Sequence, residues 1–107
     1  MSSNNLNEIL ATFRMELSLI LGENLEMVYL YGSQARGDAL PGSDIDVLIV
    51  INGNFDYFDL LDKTSEINWR LSLENDVVIS RVFVAKDKFD QSASPFLMNV
   101  HREAIPV

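Results

Sequence analysis

Two carboxylates, Asp44 and Asp46, stand two residues apart at the head of an apolar run, Asp-Ile-Asp-Val-Leu-Ile-Val-Ile. On a strand, residues two apart share a face, so both carboxylates point one way while Ile45 anchors the other side. Like charges so placed repel, and an Asp within an otherwise apolar strand is costly without a partner. A cation relieves both penalties. Paired hard oxygen ligands suit Mg²⁺, which takes one or two protein carboxylates and completes its shell with substrate phosphates and water. Turn chemistry in Pro41-Gly42-Ser43-Asp44 accounts for Asp44 as a polar loop residue, but it leaves Asp46 unexplained.

A second group lies upstream, in Tyr31-Gly32-Ser33-Gln34-Ala35-Arg36-Gly37. Gly32 has no Cβ to keep a ligand from the backbone. Ser33 adds a hydroxyl, and a turn through Gln34 and Ala35 would point free amides outward, as anion-binding helix starts do. Ser33 could equally cap a short helix. Arg36 is either a phosphate clamp or a solvated surface residue. Phosphates held between amides and cation-bearing carboxylates are what metal-assisted phosphoryl or nucleotidyl transfer requires.

The elements that must position these groups follow from the hydrophobic pattern. Residues 4–22 have Leu6, Ile9, Leu10, Phe13, Leu17 and Ile20 at helical spacing, with Gly22 as a stop. Residues 27–31 read as a strand, 37–43 as a loop, and 45–51 as a strand apolar on both faces beyond Asp46, hence central in a covered sheet. Helical spacing returns over 55–73, and Val77-Val78-Ile79-Ser80-Arg81-Val82-Phe83-Val84 makes a third strand, opened by Glu74-Asn75-Asp76 and running to about Ala85. A short turn over 86–90 and a short helix over 95–102 end the chain. The order αβ(loop)βαβα specifies an α/β sandwich forming one domain over residues 1–107.

Composition narrows the chemistry further. A formal net charge of -8 over 107 residues argues against holding a nucleic-acid backbone by bulk charge. The absence of cysteine excludes disulfide scaffolds and thiolate metal sites. No basic region followed by an apolar stretch opens the chain, and its apolar runs are too short to span a bilayer; cytoplasm is the expected location, with no membrane partner.

Gly-Ser, ten intervening residues and Asp-x-Asp resemble the signature of the DNA polymerase beta nucleotidyltransferase superfamily. The run from Gly32 to Val50 is most similar to the minimal nucleotidyltransferases, often paired as antitoxins with helical HEPN-type proteins. The resemblance implies a central mixed β-sheet flanked by helices. It implies a transferase that moves a nucleoside monophosphate, AMP from ATP above other NTPs, to a hydroxyl on the HEPN-type partner. Gly32, Ser33 and Arg36 would hold the triphosphate, and Asp44 and Asp46 would hold Mg²⁺, with two ions expected. The family's third acidic residue falls best on Asp76, as metal ligand and base.

Two other classes fit the same residues. One is a catalytically inactive binding module that neutralises its partner by contact; the other is the nucleotide-binding half of a small-molecule, antibiotic-type transferase. Asp56, Asp59 and Asp62 read as an exposed acidic helix face, and His101-Arg102-Glu103 as the solvated end of the last helix. Trp69, Phe89 and Phe96 are the aromatics expected to remain uncovered as a partner-facing patch.

Overall fold

The strand expected over 45–51 forms as β2 (Ile45–Ile51), and its burial explains its composition: every side chain in it except Asp46 is buried. The computed structural model describes residues 3–40 and 42–107; Pro41 of the expected loop, and Met1 and Ser2 ahead of the first helix, lie outside the described residues. In chain order the elements are α1 (Ser3–Leu21), a single 3-10 turn (Gly22–Asn24), β1 (Leu25–Tyr31), α2 (Ser33–Arg36), β2, α3 (Tyr57–Glu74), β3 (Ile79–Ala85), α4 (Lys86–Asp90), α5 (Pro95–Glu103) and β4 (Ile105–Pro106). The sheet runs β3-β2-β1-β4. It is mixed: β2 lies parallel to β3 and antiparallel to β1, which is antiparallel to β4.

Alternation along β2 divides the core into two layers. Ile45, Val47, Ile49 and Ile51 join Val28, Leu30, Ile79 and Phe83 beneath α1 and α3, which contribute Ile9, Phe13, Leu17, Leu60, Ile67 and Leu71. Leu48 and Val50 face the opposite way, onto Phe89, Leu97 and Val100 of α4 and α5. With both faces covered, β2 needs apolar residues at every position. Asp46, two residues before Leu48, opens the second face and pairs across β1 with Tyr31.

Local chemistry sets the helix positions. Asp56 caps α3, accepting from the amides of Phe58 at 3.0 Å and Asp59 at 3.2 Å, and it is exposed together with Asp59 and Asp62. Thr64 is fully buried in α3 and fully used: its hydroxyl donates to the Leu60 carbonyl at 2.8 Å and accepts from Arg81 Nε at 2.8 Å.

Three expectations need correction. The third strand begins at Ile79, not Val77, because Asp76 sits in a left-handed turn at φ 52 that closes α3. Phe89 is buried, stacked on Tyr29 at 5.1 Å and on His101 at 4.1 Å, whereas Trp69 is 68% exposed and Phe96 43%. His101 is therefore no freely solvated side chain, since its Nε2 also bonds the Phe89 carbonyl.

Candidate nucleotide site

β1 ends at Tyr31, and the chain must turn sharply beside Asp46, its neighbour in register. Gly32 makes that turn at φ 76 and ψ -156, a region essentially restricted to glycine. A Cβ there would stand 2.5 Å from Asp46 Oδ2, so the missing side chain also makes room for the carboxylate. The chain then winds one helical turn, α2, in which the amides of Ala35 and Arg36 donate to the Gly32 carbonyl at 3.1 and 3.0 Å. Gly32 is the cap of this turn and Ser33 its first residue, so Ser33 is not the capping side chain. Gln34 Nε2 donates to the Ser43 carbonyl at 3.4 Å, tying α2 to the loop that leads into Asp44.

Asp46 is half-buried and Asp44 exposed, both at the end of β2 that faces α2. The Asp46 carboxyl is pushed above its ordinary value, first by burial and then by the neighbouring Asp44 charge, against a smaller opposing pull from Arg36. Tyr31 is pushed up to about 12, by burial and then by Asp46.

Arg36 lies within an anionic frame. Its Nε donates to Asp38 Oδ2 at 3.2 Å and its Nη1 to Glu103 Oε2 at 3.0 Å. The other Glu103 oxygen accepts from the Gly32 amide at 2.9 Å. These bonds from Arg36, and then from Gly32, hold the Glu103 carboxyl below its usual range. Sequence reasoning missed Glu103 as a member of the site. The available signal was an acidic residue in the last turn of a helix, where the dipole disfavours it.

The structure thus brings Gly32, Arg36 and Asp46 together, with Ser33 adjoining Gly32 and Asp44 beside Asp46. Asp76 is exposed and lines an adjoining cleft of about 430 Å³ with Gln34, Leu40, Gly42, Ser43 and Asn75. Among the described residues, no three acidic or histidine side chains gather as a metal-binding group. The residue in register beside Asp46 on β3 is Ser80, not a carboxylate.

The two-carboxylate set still fits a divalent cation. Both donors are hard oxygens, and Asp46 is held above its ordinary value first by burial and then by the Asp44 charge, two penalties that a cation would relieve. Two protein carboxylates leave most of the shell to phosphate and water, the usual pattern for Mg²⁺ beside a nucleotide.

The profile of the nucleotidyltransferase domain family matches residues 12–103. Two similar proteins carry names qualified as putative. One is a protein adenylyltransferase of Methanocaldococcus jannaschii, 38% identical over 79 residues, which covers 74% of this chain and 79% of that protein. The other is a minimal nucleotidyltransferase of solved structure, 26% identical at a TM-score of 0.61, with 100% of both chains covered. A chain in the complex of tri-AMPylated Shewanella oneidensis HEPN toxin with MNT antitoxin shares the fold at a TM-score of 0.56 and 21% identity. That match covers 99% of this chain and 71% of the other.

Proposed function

Since the chain belongs to the nucleotidyltransferase domain family, among its minimal members, we propose that it transfers AMP from ATP to a hydroxyl on a helical HEPN-type protein and so acts as its antitoxin. The observation that carries this reading is the packing of Gly32 against Asp46, with Asp44 beside it and Arg36 across the turn. A backbone bare of Cβ, a guanidinium and two carboxylates at one sheet end are the groups a metal-bound triphosphate needs.

Each residue has a distinct role. The Gly32 amide, the Ser33 hydroxyl and Arg36 bind phosphate oxygens and fix the triphosphate's orientation. Asp44 and Asp46 would hold Mg²⁺, two ions being expected, which would neutralise the triphosphate and polarise the α-phosphate when bound. The acceptor oxygen forms a bond to the α-phosphorus as the bond to the bridging oxygen breaks. Pyrophosphate leaves, and the hydroxyl proton passes to base. Positioning and charge placement supply most of the rate in transfers of this kind.

The relatives support a protein acceptor: one is named a putative protein adenylyltransferase, and another belongs to a complex with an AMPylated toxin. Trp69, exposed on α3, supports a docking surface for such a partner. No helix among the described residues is long and apolar enough to cross a membrane.

Ser80, the residue in register beside Asp46 on β3, favours a second reading, a binding module that silences its partner by contact alone. Incubation with a HEPN-type partner, ATP and Mg²⁺, followed by intact mass, separates the two. Added AMP units on the partner, lost in Asp44→Asn, support transfer. A partner silenced at unchanged mass supports the binding module, and no complex at all overturns both.

A further inference from the structure

Glu103 ends α5, and its carboxylate reaches the site from a distant part of the sequence, 71 residues beyond Gly32. Two forces oppose that position. An acidic side chain at a helix C-terminus works against the helix dipole, and Glu103 adds to the charge that disfavours ionised Asp46. Two contacts outweigh them: the Gly32 amide at 2.9 Å on Oε1 and Arg36 Nη1 at 3.0 Å on Oε2. Both donors seek anions, and both oxygens of the carboxylate are used. The Glu103 side chain is only 22% exposed, against 47% for Arg36, so the pair is partly shielded from water.

We propose that Glu103 is a built-in competitor for the nucleotide: its carboxylate occupies the donors that a phosphate group takes, and binding of the triphosphate expels it. The inference rests on the reading of Gly32 and Arg36 as phosphate-binding groups. A carboxylate and a phosphate each offer two oxygens to an amide and a guanidinium, so one replaces the other without rebuilding the site. Asp38 continues to orient Arg36 through Nε at 3.2 Å when Glu103 leaves. The chain beyond Glu103 is held independently. The Val107 amide donates to the Val28 carbonyl at 2.9 Å, and Arg14 Nη1 donates to the Val107 carbonyl at 2.8 Å. Expulsion therefore needs only rotation of one side chain, with β4 staying in the sheet. The consequence is a nucleotide site whose affinity is set below what its donors alone would give.

Calorimetric titration of the full chain with AMP-PNP and Mg²⁺ tests this, beside the E103Q variant. Gln keeps the size and the bond to the Gly32 amide but removes the competing charge. AMP-PNP should bind E103Q about fivefold to tenfold more tightly, the scale of one partly shielded charged contact, while adenosine, lacking phosphates, should bind both chains alike. Equal or weaker AMP-PNP binding by a natively melting E103Q overturns the competition and leaves the site reading standing. Failure of both chains to bind AMP-PNP overturns the site reading, and the competition with it. Should E103Q not fold, the carboxyl ¹³C resonance of Glu103 in the unaltered chain decides. Displacement toward a free glutamate on adding AMP-PNP supports the proposal; a resonance that stays put while AMP-PNP binds overturns it.

Discussion

Gly32 and Asp46 are packed so closely that a methyl group on the glycine would stand 2.5 Å from the Asp46 carboxylate oxygen. Gly32→Ala therefore carries two penalties, a backbone conformation that only glycine adopts readily and a displaced Asp46. The first costs about 2 kcal/mol of stability, and the second should abolish nucleotide transfer even where the variant remains folded. Gly37→Ala is the control. Gly37 also has a positive φ, 81, but a Cβ there meets nothing within 4 Å. It should lose a comparable amount of stability in urea titration while keeping transfer activity. Equal loss of activity in the two variants would remove Asp46 from the argument.

Asp46→Asn should eliminate Mg²⁺-dependent transfer without unfolding the chain. In the metal-free protein the native Asp46 carboxyl titrates above the ordinary 3.8, so the native state keeps this proton to higher pH than the unfolded chain does. Its ionisation thus lowers stability, by nothing below the unfolded value and by the full amount once pH exceeds the native one. Removing the charge should hold or raise Tm at neutral pH, with the gain disappearing as pH falls through the carboxylate range. Melts of both chains across pH, with intact-mass transfer assays, check this; full activity in the variant would return Asp46 to a structural role.

The second core layer depends on one side chain. Phe89 lies between Tyr29 and His101 and joins Leu48, Val50, Leu97 and Val100 in covering the Asp46 face. Phe89→Ala should cost about 3 kcal/mol, the low end for a buried aromatic because α4 is only one turn long and can settle inward. Trp69→Ala, at an exposed position, should change stability by less than about 0.5 kcal/mol while weakening capture of a HEPN-type partner. Urea titration and a pull-down with that partner provide the two readouts.

What was legible in the sequence was whatever local periodicity encodes. β2 runs over the expected residues because a strand covered on both faces must be continuously apolar, and α1 and α3 follow their apolar stripes to within two residues. The misses are contacts between distant segments. Phe89 carries no mark that distinguishes it from Phe96, since its burial depends on Tyr29, 60 residues away in the sequence, on the sheet face beneath it. β4 is two residues long and exists only because Tyr29 and Leu30 accept it as a partner. Glu103 enters the site through tertiary contacts alone. The apolar run from Val77 suggested a strand two residues too early, because pairing to β2 starts only once the Ile45 amide reaches the Val78 carbonyl, at 2.8 Å.

That delay decides what Asp76 can do. A carboxylate in place of Ser80, in register with Asp46, would face the site, but Asp76 stands four residues earlier in the left-handed turn that closes α3, exposed and lining a cleft with Gln34, Gly42 and Ser43. Asn occupies left-handed positions at least as readily as Asp. Asp76→Asn should therefore leave the melting curve within about 0.5 kcal/mol of the unaltered chain. Transfer should stay within about threefold, less than 1 kcal/mol of barrier. Side-by-side intact-mass kinetics with Asp46→Asn make the comparison. A loss in Asp76→Asn as deep as that in Asp46→Asn, with stability unchanged, would mean that the turn unwinds in the substrate complex and delivers Asp76 to the reacting groups. Retained activity would instead leave two carboxylates as sufficient, with the acceptor's proton leaving to a base outside this chain.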